Sequence, residues 1–281
     1  MAVLTLLAMG LWMIVSGDSQ STASLKCLQF VQTIGTFLLP PILCAWLWDE
    51  DHRPFRWLKL TKSGERLAVS DFLLAIGIMI CAIPAINLLA DLNGRIELPE
   101  SLASIEQIFK QYEQQAAALT ERFLQADNFG ELLLNIGLLA LLPALAEELS
   151  FRGTLQQIVS DKSQITNDKS HIHVAIWTTA IVFSAIHMQF YGFIPRMLMG
   201  AMFGYIFVWT GSLWVPIVMH FTNNSLAVIA YYLTSNSEAV QPQTTSIADT
   251  IGAGDTWWLG VISLMITSLG LLIFYRRTHR Q

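Results

Sequence analysis

The chain alternates between long apolar segments and shorter polar ones. Eight apolar segments are long enough, or nearly so, for an α-helix to cross about 30 Å of hydrocarbon. The pattern predicts an all-α fold, a polytopic transmembrane bundle of about eight helices. The predicted spans are residues 2–15, 30–48, 72–90, 132–149, 174–190, 194–209, 213–232 and 257–274.

Three segments of this pattern need a separate interpretation. The first span is the shortest and ends near Ser16, Gly17 and Asp18, so a cleaved signal peptide is the alternative to the retained helix that we favour. Residues 102–124 place apolar side chains three and four positions apart among Gln and Glu, which predicts an amphipathic helix on the membrane surface or a solvated linker helix. Residues 235–250 are rich in Ser, Thr, Gln and Asn and predict a flexible loop.

The composition agrees with a membrane protein. Hydrophobic residues make up 53% of the chain and charged residues 13%, with a mean hydropathy of +0.50, whereas soluble domains carry roughly a quarter charged residues. The net charge of −5 gives no basic face for nucleic acid. The three cysteines lack a CxxC spacing, which favours packing roles over a disulfide set or a metal site.

The basic residues predict the orientation of the bundle, because Lys and Arg collect in short cytoplasmic loops. One side of an eight-span bundle holds most of them, and the other side holds the acidic segment 91–131, which we interpret as an extracytoplasmic insertion. Both termini are therefore predicted to be cytoplasmic. The basic residues on the predicted cytoplasmic side are Arg53, Arg56, Lys59, Lys62, Arg66, Arg152, Lys162, Lys169, Arg276, Arg277 and Arg280.

Polar side chains inside the apolar segments are the candidate functional residues. A charge at the bilayer centre costs about 2.5 to 3.5 kcal/mol on insertion scales, so an ionisable residue there indicates a functional site. The fourth span carries Glu147, Glu148 and Arg152. Helical spacing allows Glu148 to pair with Arg152, while Glu147 is rotated by about 100° to face something else. A carboxylate in a pocket of low dielectric is suited to act as a general base towards water.

The fifth and seventh predicted spans supply the other polar groups. Phe183 and His187 lie one helical turn apart in the fifth span, and His220 and Asn224 lie one turn apart in the seventh. An imidazole and a carboxamide aimed at one point can donate to a developing oxyanion. The same His220 could instead bind Zn²⁺ with Glu147 and His187, a known type of catalytic ligand set. The residue types do not separate these two roles.

The depth of these residues tests whether they form one site. On hydropathy alone, Glu147 would lie at the cytoplasmic end of span four and His187 near the outer end of span five. If the fourth helix continues to Val159, Glu147 lies about 18 Å above its end and His187 about 22 Å above the start of its own helix. His220 is only about 10 Å into its span, so the connection at residues 211–212 must be recessed into the protein.

Three motifs resemble those of the CPBP intramembrane endopeptidases, the group that contains the type II CAAX prenyl proteases and bacteriocin-processing or immunity homologues. They are EExxxR at residues 147–152, FxxxH at 183–187 and HxxxN at 220–224, within a predicted core at residues 132–232 of one membrane domain. The resemblance implies that Glu147 and His187 activate a water molecule and that His220 and Asn224 stabilise the oxyanion. It implies supporting roles for Glu148, Arg152 and Phe183, and it leaves zinc open.

Two classes of function follow from this constellation. The first is an intramembrane endopeptidase that acts on a membrane-associated or membrane-embedded peptide, in a multi-pass protein of a bacterial-type cytoplasmic (inner) membrane. The second is a non-catalytic membrane protein, either a bacteriocin immunity factor or a small-solute or ion carrier, in which the same polar centre binds without cutting. Rhomboid-type GxSG and soluble HExxH motifs are missing from the chain.

Overall fold

A computed structural model of the protein describes residues 21–61, 67–161, 170–235 and 250–279. These residues form nine helices and no strand, which confirms the predicted all-α class. The predicted first span and most of the predicted loop at 235–250 lie outside the described residues. The helices are α1 (Thr22–Trp48), α2 (Pro54–Trp57), α3 (Val69–Gly94), α4 (Ala103–Leu124), α5 (Phe129–Ser160), α6 (Ser170–Ala185), α7 (Phe193–Thr210), α8 (Trp214–Ser235) and α9 (Trp257–Thr278).

Five of the described helices are long and apolar enough to cross a membrane, namely α1, α3, α5, α7 and α9. The seven predicted spans that fall in this part of the chain all form helices, but α6 and α8 do not reach that combination of length and hydropathy. Helix α6 has only 16 residues. Helix α8 carries His220, Asn223 and Asn224, which lower its hydropathy. The two weaker helices therefore belong to the polar centre of the bundle.

Local chemistry explains where these helices begin and end. The Ser21 hydroxyl accepts a hydrogen bond from the Ser24 amide at the start of α1, and Asn128 caps α5 by accepting from the Glu131 amide, as is usual for an N-cap. Gly211 ends α7 in the left-handed conformation, with φ of 60°, which glycine adopts without steric cost.

A serine of α9 forms hydrogen bonds with the backbone of α3 beside a proline. Pro84 lacks an amide hydrogen, so its helix loses a backbone hydrogen bond at that point. The Ser263 hydroxyl donates to the Cys81 carbonyl and accepts from the Ala85 amide. Because the bilayer core supplies no water to satisfy such groups, this side chain joins α9 to α3 at the proline.

The core lies where α3, α7, α8 and α9 meet. The centre of the core is a cluster of buried hydrophobic side chains. A second buried hydrophobic cluster joins α1, α5, α7 and α8. The first cluster consists of Ala75, Ile78, Met79, Ala82, Phe203, Ile206, Val215, Met219 and Phe274. Asp71 at the start of α3 forms an ion pair of 2.8 Å with Arg277 at the end of α9, which ties the two helices together at one end of the bundle.

Helix α7 presents a glycine face to its neighbours. A Cβ atom on Gly200 would lie 3.2 Å from the Arg152 guanidinium and from the Phe183 ring, and one on Gly204 would lie 2.8 Å from Gln156 Oε1. The carbonyls of the two glycines accept hydrogen bonds from Arg152 and Gln156, respectively. The glycine pair is thus a contact inside the bundle, where it lets polar side chains of α5 reach the backbone of α7.

A methyl group at Gly204 should destabilise the protein. In Gly204→Ala, the new Cβ would meet Gln156 at 2.8 Å and Ile176 at 2.9 Å, and overpacking of this kind costs about 1–3 kcal/mol. The matched control is Gly77→Ala, because a Cβ on Gly77 meets nothing within 4 Å. Unfolding in mixed detergent micelles should show a lower stability for the first variant only. Equal stability of the two variants would contradict this packing.

The insertion contains the helix predicted at residues 102–124, observed as α4 (Ala103–Leu124). Four apolar side chains on α4 are exposed, Ile105, Ile108, Tyr112 and Leu119. The extracytoplasmic position of the insertion and the cytoplasmic termini stay predictions. Arg152 no longer supports this orientation, because it is fully buried in α5 and does not lie in a cytoplasmic loop.

Candidate active site

Helix α5 extends well past its hydrophobic run, as the depth argument required. It is helical through Asp161, so Glu147 and Glu148 lie inside the bundle, away from the helix end. The helix changes to π geometry at Phe151–Gln156, a feature often found at functional sites. The extension confirms the condition under which Glu147 and the histidines can form a single site.

Glu148 is the structural member of the glutamate pair. Its side chain is fully buried, and its Oε1 accepts from Arg152 Nη1 at 2.7 Å and contacts His220 Nδ1 at 2.9 Å. Arg152 in turn donates to the Gly200 carbonyl at 2.9 Å. The predicted pairing of Glu148 and Arg152 is present, and it extends to α7 and α8, so this ion pair links three helices.

Glu147 is the open member of the pair. Its side chain is 17% exposed, compared with 0% for Glu148. Its Oε2 lies 3.9 Å from His220 Nε2, which is too long for a direct hydrogen bond. His220 therefore lies between the two carboxylates, held at Nδ1 by Glu148 and facing Glu147 with Nε2.

Phe183 packs at the centre of the cluster. The Arg152 guanidinium lies 4.7 Å from the centre of its ring, a cation–π distance. The His187 and His220 rings lie edge-on to Phe183, with centroids at 5.2 and 6.1 Å. A single buried ring thus contacts two imidazoles and one guanidinium, and the supporting role that the resemblance implies for Phe183 stays a prediction.

His187 is not on a helix, and this corrects the prediction that residues 174–190 form one span. Helix α6 ends at Ala185, and His187 lies in the following turn. Its Nδ1 still contacts the Phe183 carbonyl at 2.8 Å, so the two residues stay adjacent. A carbonyl only accepts hydrogen bonds, so in neutral His187 the hydrogen is on Nδ1 and Nε2 carries a free lone pair.

Asn224 lies one turn after His220 on α8, as predicted. Its Oδ1 accepts a hydrogen bond of 3.1 Å from Asn223. This contact occupies the oxygen of the carboxamide and leaves its NH₂ group to donate elsewhere. The sequence analysis did not identify Asn223, which orients this carboxamide.

The connection between α7 and α8 is only partly covered, since Leu213 is buried and Gly211 is exposed, so the predicted depth of residues 211–212 stays a prediction. Residues 54–60 fold over it, with the Leu213 amide donating to the Lys59 carbonyl and the Trp214 indole donating to the Leu60 carbonyl. Leu58 and Leu213 are fully buried, and each comes within 3.1 Å of where a Cβ on Gly153 would lie. Because Gly153 has no side chain, α5 packs closely against Leu58 and against Leu213 at the start of α8.

The residues present do not assemble the zinc site that the sequence analysis left open. Within the described ranges, no three His, Cys, Asp or Glu side chains are grouped so that they could hold a metal ion. Glu147 and His220 do approach each other, but Nδ1 of His220 is engaged by Glu148 and His187 does not complete a three-ligand set. A zinc ligand set of Glu147, His187 and His220 is therefore not supported by this arrangement, and no step below involves a metal.

Arg196 is a site residue that the sequence analysis missed as such. It lies in α7, and its Nη2 donates at 2.7 Å to Oε1 of Gln189, which lies two positions after His187. A signal was available, since an arginine within an apolar span is by itself a candidate for function. Phe203 was also missed, and its ring packs 5.4 Å from both His220 and the Arg152 guanidinium.

Comparison with known proteins confirms the resemblance found in the three motifs. Residues 129–226 match the sequence model of the family described as type II CAAX prenyl endopeptidase Rce1-like. An uncharacterized protein of Bacillus subtilis (strain 168), YpbD, is 33% identical over 87 residues, which cover 30% of this chain and 38% of that protein. The chain thus aligns with about two fifths of that relative's length. No solved structure matches.

The matched region coincides with the part of the fold that carries the cluster. Residues 129–226 begin at α5 and end within α8, so they include the three motifs and all the contacts among Glu147, Glu148, Arg152, Phe183, His187 and His220. The protein is an integral, multi-pass membrane protein, and the matched region carries its buried polar centre.

Proposed function

We propose that this chain, whose core matches the Rce1-like type II CAAX prenyl endopeptidases, is an intramembrane endopeptidase. It hydrolyses a peptide bond of a membrane-associated or membrane-embedded substrate with a water molecule activated by Glu147. The observation that carries the proposal is the difference in burial and in contacts between the two adjacent glutamates. Glu148 is closed off by Arg152 and His220, whereas Glu147 has an accessible carboxylate that faces an imidazole.

Glu147 and His187 activate the water in this mechanism. The Glu147 carboxylate accepts one proton of the water, and Nε2 of His187 accepts a hydrogen bond from the same molecule because its Nδ1 is occupied by the Phe183 carbonyl. The water oxygen bonds to the carbonyl carbon of the scissile bond, and the resulting tetrahedral intermediate collapses with cleavage of the C–N bond. The proton on Glu147 then passes to the leaving amine, which returns the carboxylate to its starting form.

His220 and Asn224 stabilise the negative charge on the former carbonyl oxygen. A doubly protonated His220 donates from Nδ1 to Glu148 and from Nε2 to the oxyanion. Asn224 donates from the NH₂ group left free by Asn223. Glu148 and Arg152 hold His220 in place through the contacts that join α5, α7 and α8. The lipid bilayer brings membrane-bound substrates to this centre.

The proposed location is the cytoplasmic (inner) membrane of a bacterial-type cell, with both termini cytoplasmic. The distribution of Lys and Arg supports the orientation, and the relative from Bacillus subtilis supports the type of cell. The domain assignment is one membrane domain with a catalytic core at residues 132–232 and an extracytoplasmic insertion at 91–131.

The test of this function is direct. The purified chain, reconstituted in liposomes with a panel of membrane-embedded reporter peptides, with and without a prenylated cysteine, should produce fragments with a defined cleavage site by mass spectrometry. A second set of proteoliposomes measures solute and ion flux. Flux without any cleavage would contradict the endopeptidase and favour the carrier, and the reporter that is cut identifies the substrate chemistry.

Loss of the Asn224 carboxamide should slow the reaction. Asn224→Ala removes an oxyanion donor, and such a loss costs about 10²–10³ in kcat with KM little changed. Asn224→Asp keeps the shape but cannot donate when ionised, so it should be as slow. The matched control is Asn223→Ala, which removes only the neighbour and should cost less. Equal rates for Asn224→Ala and the wild type would exclude this role.

A further inference from the structure

The turn that carries His187 is strained and short. It joins α6 to α7 at residues 186–192, and Met188 within it has a positive φ of 54°. A non-glycine residue in this conformation persists only where the surrounding structure holds it. The position of His187 is therefore set by whatever packs against this turn.

Helix α3 and the turn's own flanks provide one set of contacts. The Asn93 side chain, at the end of α3, donates to the Phe190 carbonyl and accepts from the Ile194 amide, both at 2.9 Å. The Ser184 hydroxyl donates to the Phe193 carbonyl at 2.7 Å and closes the turn. These bonds fix Phe190 and the end of the turn that leads into α7, but none of them reaches Gln189 or His187.

Helix α4 of the insertion packs against the middle of the turn. The Phe109 ring stacks on the Phe190 ring with centroids 4.9 Å apart and an angle of only 7° between the planes. One helical turn further along α4, Glu113 Oε1 accepts a hydrogen bond from Gln189 Nε2 at 3.5 Å. Both contacts touch residues within three positions of His187.

Gln189 continues this contact to the active site. Its Oε1 accepts from Arg196 Nη2 at 2.7 Å, so Glu113, Gln189 and Arg196 form a chain of side chains from α4 to α7. The Arg196 charge interacts with Glu113 at one end and with Glu147 and His187 at the other. Among the residues that the structure describes, Glu113 Oε2 and Arg196 Nη1 are buried and have no hydrogen-bond partner, and Gln189 bonds to both of these side chains.

We propose that the insertion helix α4 is a positioning element of the active site, which holds the His187 turn through the Phe109–Phe190 stack and the Glu113–Gln189–Arg196 chain. Glu113, Gln189 and Arg196 are positioning residues in this assignment. The inference rests on the proposed endopeptidase, because it assigns a role in that reaction to a segment outside the three motifs and outside the region matched by the family.

The kinetic test compares Glu113→Ala with Glu121→Ala, an exposed glutamate of the same helix. A misplacement of about 1 Å near a reaction centre can cost 10²-fold, so Glu113→Ala should lower kcat by about 10- to 10²-fold with KM within about twofold. Glu113→Gln keeps an acceptor for Gln189 and should recover part of the rate. Identical kcat values for Glu113→Ala and Glu121→Ala would overturn the proposal.

A double-substitution cycle tests the chain itself. If Glu113 acts through Gln189, adding Glu113→Ala to Gln189→Ala should change kcat little, because the link is already broken. Independent, additive losses would overturn the assignment of these residues to one chain.

A measurement that does not depend on catalysis tests this inference separately from the proposed function. Hydrogen–deuterium exchange at residues 186–192 should be faster in Glu113→Ala than in the wild type or in Glu121→Ala. This result is expected whether or not any reporter is cut, whereas absence of cleavage by the wild type refutes only the endopeptidase. Unchanged exchange in Glu113→Ala would overturn the positioning role.

Discussion

Replacement of Glu147 by glutamine is expected to remove nearly all peptidase activity while the protein stays folded. The amide has the same shape as the carboxylate but cannot accept a proton, and loss of a general base lowers rates by about 10²- to 10⁴-fold. The Glu147 side chain is partly exposed, and its Oε2 lies 3.9 Å from Nε2 of His220, too far for a direct hydrogen bond. Its charge is therefore not needed for packing. Initial rates of reporter cleavage in proteoliposomes measure the effect.

The control for this prediction is Glu50→Gln, which removes an exposed carboxylate of the loop after α1. Its rate and its stability should both equal those of the wild type. If Glu147→Gln cleaved the reporter at the wild-type rate, Glu147 would not be the base. If instead it failed to insert or unfolded readily, the separation between an open and a structural glutamate would be wrong.

Replacement of the neighbouring Glu148 should have its main effect on stability. Glu148→Ala leaves the fully buried Arg152 guanidinium without its carboxylate and leaves His220 Nδ1 without its partner. Breaking a buried ion pair in this way costs about 3–5 kcal/mol. The free energy of unfolding in mixed detergent micelles should fall by an amount in this range. Glu147→Gln, in contrast, is expected to leave the protein folded, although the two residues are adjacent in the chain.

A double variant tests the physical reason for this loss. In Glu148→Gln/Arg152→Met the buried charge is removed together with its counter-ion, so the double variant should be more stable than Glu148→Gln alone. Recovery will be partial, because Arg152 also donates to the Gly200 carbonyl and stacks on Phe183. A double variant less stable than the single one would mean that the ion pair is not the source of the stability.

The pairing of residues one helical turn apart was predictable from spacing alone. Glu148 and Arg152 are four positions apart, and a helix brings such residues together whatever surrounds it. His220 and Asn224 share a face of α8 for the same reason. The order of the motifs was also enough to identify the family resemblance. Local geometry of this kind depends only on the rise and twist of one helix, so it carries over from sequence to structure.

The part of the site that the sequence did not predict depends on contacts between distant segments. His187 was assigned to a helix because its neighbours are apolar, but α6 ends at Ala185 and the residue lies in a turn. Apolar character does not distinguish a buried turn from a buried helix. The sequence analysis did not single out Arg196, and only its hydrogen bond to Gln189, two positions after His187, places it beside the site.

The sequence by itself determined the class of fold, most of the helix positions, the pairing of Glu148 with Arg152 and the resemblance to a protease family. These follow from hydrophobicity and helical periodicity, which act over a few residues. Only the tertiary structure decided which glutamate is open, how His220 lies between the two, and that α4 packs on the His187 turn. Burial and distance across helices depend on how side chains from separate segments fill one space, and no pattern along a single chain specifies that.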